Sequence, residues 1–179
     1  MPNKALRRLV EGAVIAALYT ALTLALAPIS FGPFQCRVSE VLTILPIFTP
    51  AAIPGLTLGC ILSNAVGAAM GTNVLGVLDI FVGSAATLLA AVCSYLLRNV
   101  CIKGVPVLAT LPPVVFNVLF IGTELSLALG HPLWFSMIVE VGLGEAAASM
   151  VLGIPLALFL IKSGPQTRNI AQLRCAGEA

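Results

Sequence analysis

Leu78-Asp79-Ile80-Phe81-Val82-Gly83-Ser84-Ala85-Ala86-Thr87-Leu88-Leu89-Ala90-Ala91-Val92-Cys93-Ser94-Tyr95-Leu96-Leu97 is a run of twenty residues whose only charge stands at its second position. About twenty apolar residues, rising ~1.5 Å each as an α-helix, cross the ~30 Å hydrocarbon core of a bilayer. The stretch therefore reads as a membrane span with a carboxylate at its entrance. The rest of the chain has the same character: 59% of its 179 residues are hydrophobic and 9% charged, and the mean hydropathy is +1.09. A soluble domain is excluded.

Working outward, proline, glycine and charge mark off five more apolar stretches. Helix one is expected over Lys4 to Ala27, ending at Pro28, and helix two from Ser39 to about Phe48–Pro50. Helix three covers Ile53 to Met70, helix five Val105 to Leu129 with Pro112-Pro113 inside it, and helix six Leu133 to Ile161. Between helices one and two, two prolines and a glycine in Pro28 to Arg37 predict a structured loop. The fold class expected is all-α integral membrane: a six-transmembrane-helix bundle over 1–162, followed by a cytoplasmic polar tail over 163–179. Lys4, Arg7 and Arg8 before an apolar run imitate a signal peptide, but the run from Gly12 to Ala27 is long for one, and an uncleaved first span is favoured.

Orientation follows from the positive-inside rule. With six spans and cytoplasmic N- and C-termini, Lys4, Arg7, Arg8, Arg98, Lys103, Lys162, Arg168 and Arg174 all fall inside. Arg37 is the one basic residue of nine left outside. The net charge of +2 does not indicate nucleic acid, because the basic residues lie at the ends and in one short loop. The bilayer is the partner that composition dictates. The five cysteines show no C-x-x-C spacing and no His/Cys cluster, which argues against a metal site and a disulfide framework.

Against this apolar background stand Arg37, Glu40, Asp79, Glu124, Glu140 and Glu145. A charged side chain at mid-membrane costs about 2.5–3.5 kcal/mol on insertion scales, so such groups face a cavity, a partner or a ligand. Glu40 and Asp79 open helices that descend from the outer face. Glu124 lies near the outer end of helix five, with Asn117 two turns below it on the same face. Glu140 lies about 10–12 Å below the start of helix six, and Glu145 deeper. The outer half thus gathers five acids and one fixed cation. The surplus acids must be protonated, hydrated, bonded to neutral donors, or matched by a ligand rich in N–H groups or positive charge; a donor-rich, even cationic, small molecule is the natural inference.

Simpler roles compete at several positions. Ser39-Glu40 and Asp79 would also serve as helix caps. Asn117 would also serve as interhelical glue. Trp134 fits an interfacial anchor as well as a stacking platform at the site mouth, and His131 a solvated turn. Glu11 is expected to pair with Arg7 or Arg8. On helix one, Ala13, Ala17, Ala21 and Ala25 recur every fourth residue beside Gly12-Ala16, a small-residue ridge that lets another helix approach. No G-x-x-x-x-G-K-[ST] occurs, Gly142-Leu143-Gly144 lacks the preceding strand of a dinucleotide loop, and no nucleophile–base set is present. No cofactor is implied and no enzyme is expected.

These residues also carry a resemblance. Leu26-Ala27-Pro28-Ile29-Ser30-Phe31-Gly32-Pro33-Phe34-Gln35-Cys36-Arg37-Val38-Ser39-Glu40 resembles the signature loop of the QueT family of queuosine-precursor transporters. Phe48-Thr49-Pro50-Ala51-Ala52-Ile53-Pro54-Gly55-Leu56, Leu75-Gly76-Val77-Leu78-Asp79 and Gly83-Ser84 match as well. So do Leu111-Pro112-Pro113, Asn117, Gly122-Thr123-Glu124-Leu125 and Val141-Gly142-Leu143-Gly144-Glu145, so that only the two tails lie outside.

The resemblance implies an S-component of an energy-coupling factor (ECF) transporter in a bacterial plasma membrane. Such a protein captures a 7-deazaguanine (queuine, its aminomethyl precursor, or queuosine) at the outer face. It docks through helix one, here Ala13, Ala17 and Ala21, onto a T-component served by two cytoplasmic ATPase subunits. The expected substrate-binding set is Arg37, Glu40, Asp79, Asn117, Glu124, Trp134, Glu140 and Glu145. One of Glu124, Glu140 and Glu145 would read the ring edge and Asn117 the ring oxygen or N7 side, while Arg37 orients Glu40 and closes the loop. Rival readings are an S-component for another vitamin, a stand-alone proton-coupled carrier, and a purely structural membrane subunit.

Overall fold

A computed structural model describes residues 3–100 and 107–163. The expected start of helix five at Val105, the tail 164–179, and Lys103, Arg168 and Arg174 lie outside the described residues. Every regular element among those described is helical. They are α1 (Lys4–Ala25), the single turn α2 (Ala27–Ser30), a 3-10 helix (Val38–Ile47), α3 (Ala52–Ala69), α4 (Leu78–Leu96), α5 (Leu111–Leu129) and α6 (Leu133–Ser163). Five of these, two with short 3-10 extensions, are long and apolar enough to cross a membrane. This is a multi-pass helical membrane protein.

Several boundaries differ from the sequence reading, each for a local reason. α1 stops at Ala25 because Leu26 leaves helical geometry (φ −112°, ψ 28°), and Pro28 then sits in the first turn of α2. Pro112-Pro113 do not interrupt helix five; they occupy the first turn of α5, where their missing N–H groups have no helical partner to lose. Helix two is a 3-10 helix of ten residues. At ~2.0 Å per residue it advances about 20 Å, matching the ~18 Å that α1 rises between Glu11 and Thr23.

The printed contacts give the path of the chain. Thr23 bonds Ser39 (2.7 Å), Tyr19 bonds Glu40 (2.5 Å) and Thr49 bonds Glu11 (3.1 Å), so the 3-10 helix runs antiparallel to α1 along its length. α3 then runs parallel to α1. Gly55 faces Gly12, Gly59 faces Ala16 and Tyr19, and a Cβ at Gly55 would lie 2.7 Å from the Gly12 carbonyl oxygen. This is the close approach that small residues permit. α6 returns along α5, with Gly122 against Met137 and Gly142 against Val118. One end of the bundle packs Ile47, Phe48, Leu97, Ala109 and Ala157 together. The other end carries the turns around Asn73 and Gly130.

α6 is irregular in a way that matters. Ser136–Gly142 and Ala147–Leu152 are π-helical, flanking the α-helical turn that holds Glu145. In an unbroken α-helix, residues five apart point about 140° away from each other. π turns, with i→i+5 bonding, close that angle. Glu140 and Glu145 are accordingly both buried.

Candidate functional site

The polar residues form two adjoining groups inside the bundle. The first is built on Arg37, which follows the loop 31–37. Its guanidinium Nη2 donates to Asp79 Oδ2 at 2.5 Å, and the two side chains are only 2% and 0% exposed. Asn73 Nδ2 donates to the same carboxylate oxygen at 2.9 Å, and Asn64 Nδ2 donates to the Asp79 carbonyl at 2.7 Å. Arg37 Nε reaches the Ser30 carbonyl at 3.4 Å, and its charge lies 5.8 Å from the centre of the buried Phe31 ring. A buried ion pair is held only when further hydrogen bonds support it; three segments support this one through Asp79 Oδ2 and the Asp79 and Ser30 carbonyls, while Asp79 Oδ1 stays unpartnered.

The second group is less complete. Glu40, on the 3-10 helix, accepts from Tyr19 of α1 through Oε1, and its Oε2 has no partner. Asn117 of α5 lies between Glu40 and Glu145, near enough for its amide to donate toward both, but it meets close hydrogen-bond geometry with neither. Glu145 Oε2 is likewise buried without a partner. Each unmet buried polar atom costs about 1–3 kcal/mol, so three helices converge on a point that the protein itself does not satisfy. Its chemistry is two carboxylate acceptors and one amide that both donates and accepts. Among the described residues no three His, Cys, Asp or Glu side chains gather as a metal-binding group.

The irregular loop 31–37 is wedged against α6 above this point. Gln35 N donates to the Glu140 carbonyl at 2.7 Å, and Cys36 Sγ approaches the Gly144 carbonyl at 3.6 Å. Gly144 makes the seat possible, because a Cβ there would fall 3.0 Å from Cys36 Cα and inside the Gln35 carbonyl. Non-helical backbone at membrane depth is tolerated where protein surrounds it. A loop thus seated beside unsatisfied acceptors matches the arrangement expected of a solute-capturing membrane protein, and a model of the QueT transporter family matches residues 9–162. This chain belongs to the QueT transporter family.

A 54-residue stretch is 46% identical to the Queuosine precursor transporter QueT of Lactococcus lactis subsp. cremoris (strain MG1363). That stretch is 29% of this chain and 32% of the relative's length. No solved structure matches this chain significantly.

In this QueT-family chain, the fold assembles Arg37, Glu40, Asp79, Asn117 and Glu145 in one polar core. Arg37 does not orient Glu40 as expected. It turns to α4 and Asp79, while Glu40, three residues on, turns to α1 and Tyr19. Neither Glu40 nor Asp79 caps its helix; both side chains point inward. Glu140 is buried and bonds His131 Nδ1 at 2.6 Å, so His131, expected to be solvated, is half exposed and engaged. Glu11 pairs with Arg7 at 2.8 Å as expected.

Two of the expected site residues stand at the edge of this core. Glu124 lines a groove between α4 and α5, near enough to Asp79 and Arg37 to feel both charges. Trp134 is exposed on α6, edge-on to Phe135 at 5.8 Å, with Phe34 of the loop against the same ring at 6.5 Å. On α1, Ala13, Ala17 and Ala21 are all exposed, whereas Ala16 is buried beneath them toward α3. Sequence reasoning missed Tyr19, Thr23, Asn64 and Asn73. Tyr19 and Thr23 are four residues apart on one helical face, a polar pair in an apolar span that is legible in retrospect.

Proposed function

We propose that this protein is the substrate-binding S-component of an ECF-type importer, capturing a 7-deazaguanine at the outer face of a bacterial plasma membrane. The observation that carries the reading is the unsatisfied cluster of Glu40, Asn117 and Glu145 within a QueT-family chain. A guanine-like edge presents N1–H and an exocyclic amine side by side, two donors that one carboxylate accepts together. Glu145 takes that edge and the Asn117 amide takes the ring oxygen. Glu40, oriented by Tyr19, meets the cationic aminomethyl arm. Arg37 and Asp79 position the loop and the 3-10 helix beside the ligand, and Glu140 holds the loop backbone from α6.

In this reading the 3-10 helix is the sixth crossing and both termini are cytoplasmic. That orientation gathers Lys4, Arg7, Arg8, Arg98 and Lys162 on the inner side. The exposed ridge of Ala13, Ala17 and Ala21 is the docking face for a T-component, and two ATPase subunits supply the energy. The absence of a P-loop in the sequence fits a subunit powered by others.

The test is calorimetric titration of the purified protein with queuine, its aminomethyl precursor and queuosine, with guanine and riboflavin as controls. Saturable binding of a deazaguanine and of neither control is the expected outcome. Folded protein that binds no deazaguanine would overturn the assignment.

A further inference from the structure

The groove between α4 and α5 has a composition unlike the polar core. It encloses about 420 Å³ and is walled by Leu78, Val82, Leu119, Phe120 and Leu127. Leu127 is 81% exposed and Leu78 66%, so the groove opens on the outer flank of the bundle, where lipid lies. Into this wall is set Glu124, both of whose carboxylate oxygens are shielded and have no hydrogen-bond partner. The neighbouring Thr123 hydroxyl is already spent on the Leu119 carbonyl. Glu124 stands five residues before the end of α5, about 7.5 Å at helical rise, and Leu78 is the first residue of α4. The groove therefore lies at the depth where lipid headgroups give way to acyl chains.

We propose that this groove is a lipid site, selective for a phospholipid whose headgroup carries a primary ammonium. Two unmet carboxylate oxygens require N–H donors and positive charge together. A primary ammonium supplies three donors; a quaternary choline supplies none, and an anionic glycerol headgroup adds repulsion. The acyl chains meet the leucine wall. A deazaguanine suits the groove poorly, because one carboxylate among hydrocarbon leaves most of its ring polar groups unpaired. A bound headgroup neutralises a carboxylate that would otherwise face hydrocarbon, and it bridges α4, which carries Asp79, to α5, which carries Asn117.

The full-length protein, exchanged into mixed micelles, is examined by native mass spectrometry with phosphatidylethanolamine, phosphatidylcholine and phosphatidylglycerol of identical chains. Retention of phosphatidylethanolamine at least about fivefold over the other two is expected. Glu124→Gln abolishes that preference, and Leu127→Trp, which fills the groove and leaves the charge, lowers retention of all three. Equal retention of the three lipids, or a preference that survives Glu124→Gln, overturns the proposal. Removing a charge from an apolar wall does not threaten folding, and an unchanged or raised melting temperature of Glu124→Gln verifies that. Calorimetric affinity for deazaguanine, measured on the same variant, reports on the polar core separately.

Discussion

Two halves of one polar core behave oppositely. Around Arg37 and Asp79 the charges are matched, and Asn73, Asn64 and the Ser30 carbonyl surround them. Around Glu40, Asn117 and Glu145, only Tyr19 contributes a fixed bond, and four buried polar atoms remain unmet. Both halves are equally buried and each keeps unmet atoms, Asp79 Oδ1 and Asn64 Oδ1 in the first; what separates them is that the first holds an ion pair and the second two acids with none. The first arrangement holds the loop and the 3-10 helix in register. The second is tolerable only if something else supplies donors, and that asymmetry separates scaffold from recognition within a few side chains.

Substitutions test whether the separation is real. The largest effect is expected from Arg37→Met, which strands Asp79 in the interior. Breaking a buried pair from one side costs about 3–5 kcal/mol, read as a collapse of thermal or denaturant stability in detergent. Replacing both partners by apolar residues of similar volume should recover most of it. A mild phenotype for the single variant would remove the scaffold role.

Glu145→Gln should do the reverse. Loss of a carboxyl acceptor weakens deazaguanine binding by about 10- to 100-fold, while the melting temperature of the free protein holds or rises because an acid that the fold leaves without an ion pair is gone. If stability falls with affinity, the two halves are not separable. Gly144→Ala bears on the loop that serves both. Forcing a Cβ against the Gln35 carbonyl should cost about 1–3 kcal/mol and lower stability and affinity together. A change in only one of them would show that the loop belongs to only one half. Smallest is Tyr19→Phe, which removes the one fixed donor to Glu40. About 1 kcal/mol, roughly a fivefold loss of affinity, is expected, with a small fall in melting temperature because Glu40 Oε1 is left unmet.

The spans were legible because length and hydropathy are properties of the chain itself. α3, α4 and most of α5 and α6 fall close to where composition put them. The 3-10 helix was harder to read. A mostly apolar ten-residue segment with Pro46 inside it looks like a truncated α-helix, and only its pairing with α1 at Thr23, Tyr19 and Glu11 reveals how far it reaches. The polar constellation was named residue by residue, yet its pairing was misjudged. Arg37 and Glu40 are neighbours in sequence, but Asp79, forty-two residues on, is the partner that the guanidinium reaches. Glu124 and Asn117, placed on one face by the 3.6-residue repeat, differ in burial: Asn117 is enclosed, and Glu124 is half-buried at the groove between α4 and α5.

The amino-acid sequence by itself determined a helical membrane protein with a few acids and a lone arginine set among apolar spans, and the family to which the chain belongs. The first of these rests on quantities that add along the chain, transfer free energy per residue, helical rise and charge bias; the family rests on motifs matched residue by residue. Tertiary structure alone decided which acids are matched and which are left open. It also set Glu124 in a groove between α4 and α5 and turned Ala13, Ala17 and Ala21 outward while Tyr19 turned in. Those outcomes depend on the relative rotation of packed helices, altered in α6 by its π segments. Such rotations are fixed by packing between distant segments, at the close contacts of Gly12 with Gly55 and of Gly144 with the Gln35–Cys36 backbone, and no periodicity within a single helix encodes them.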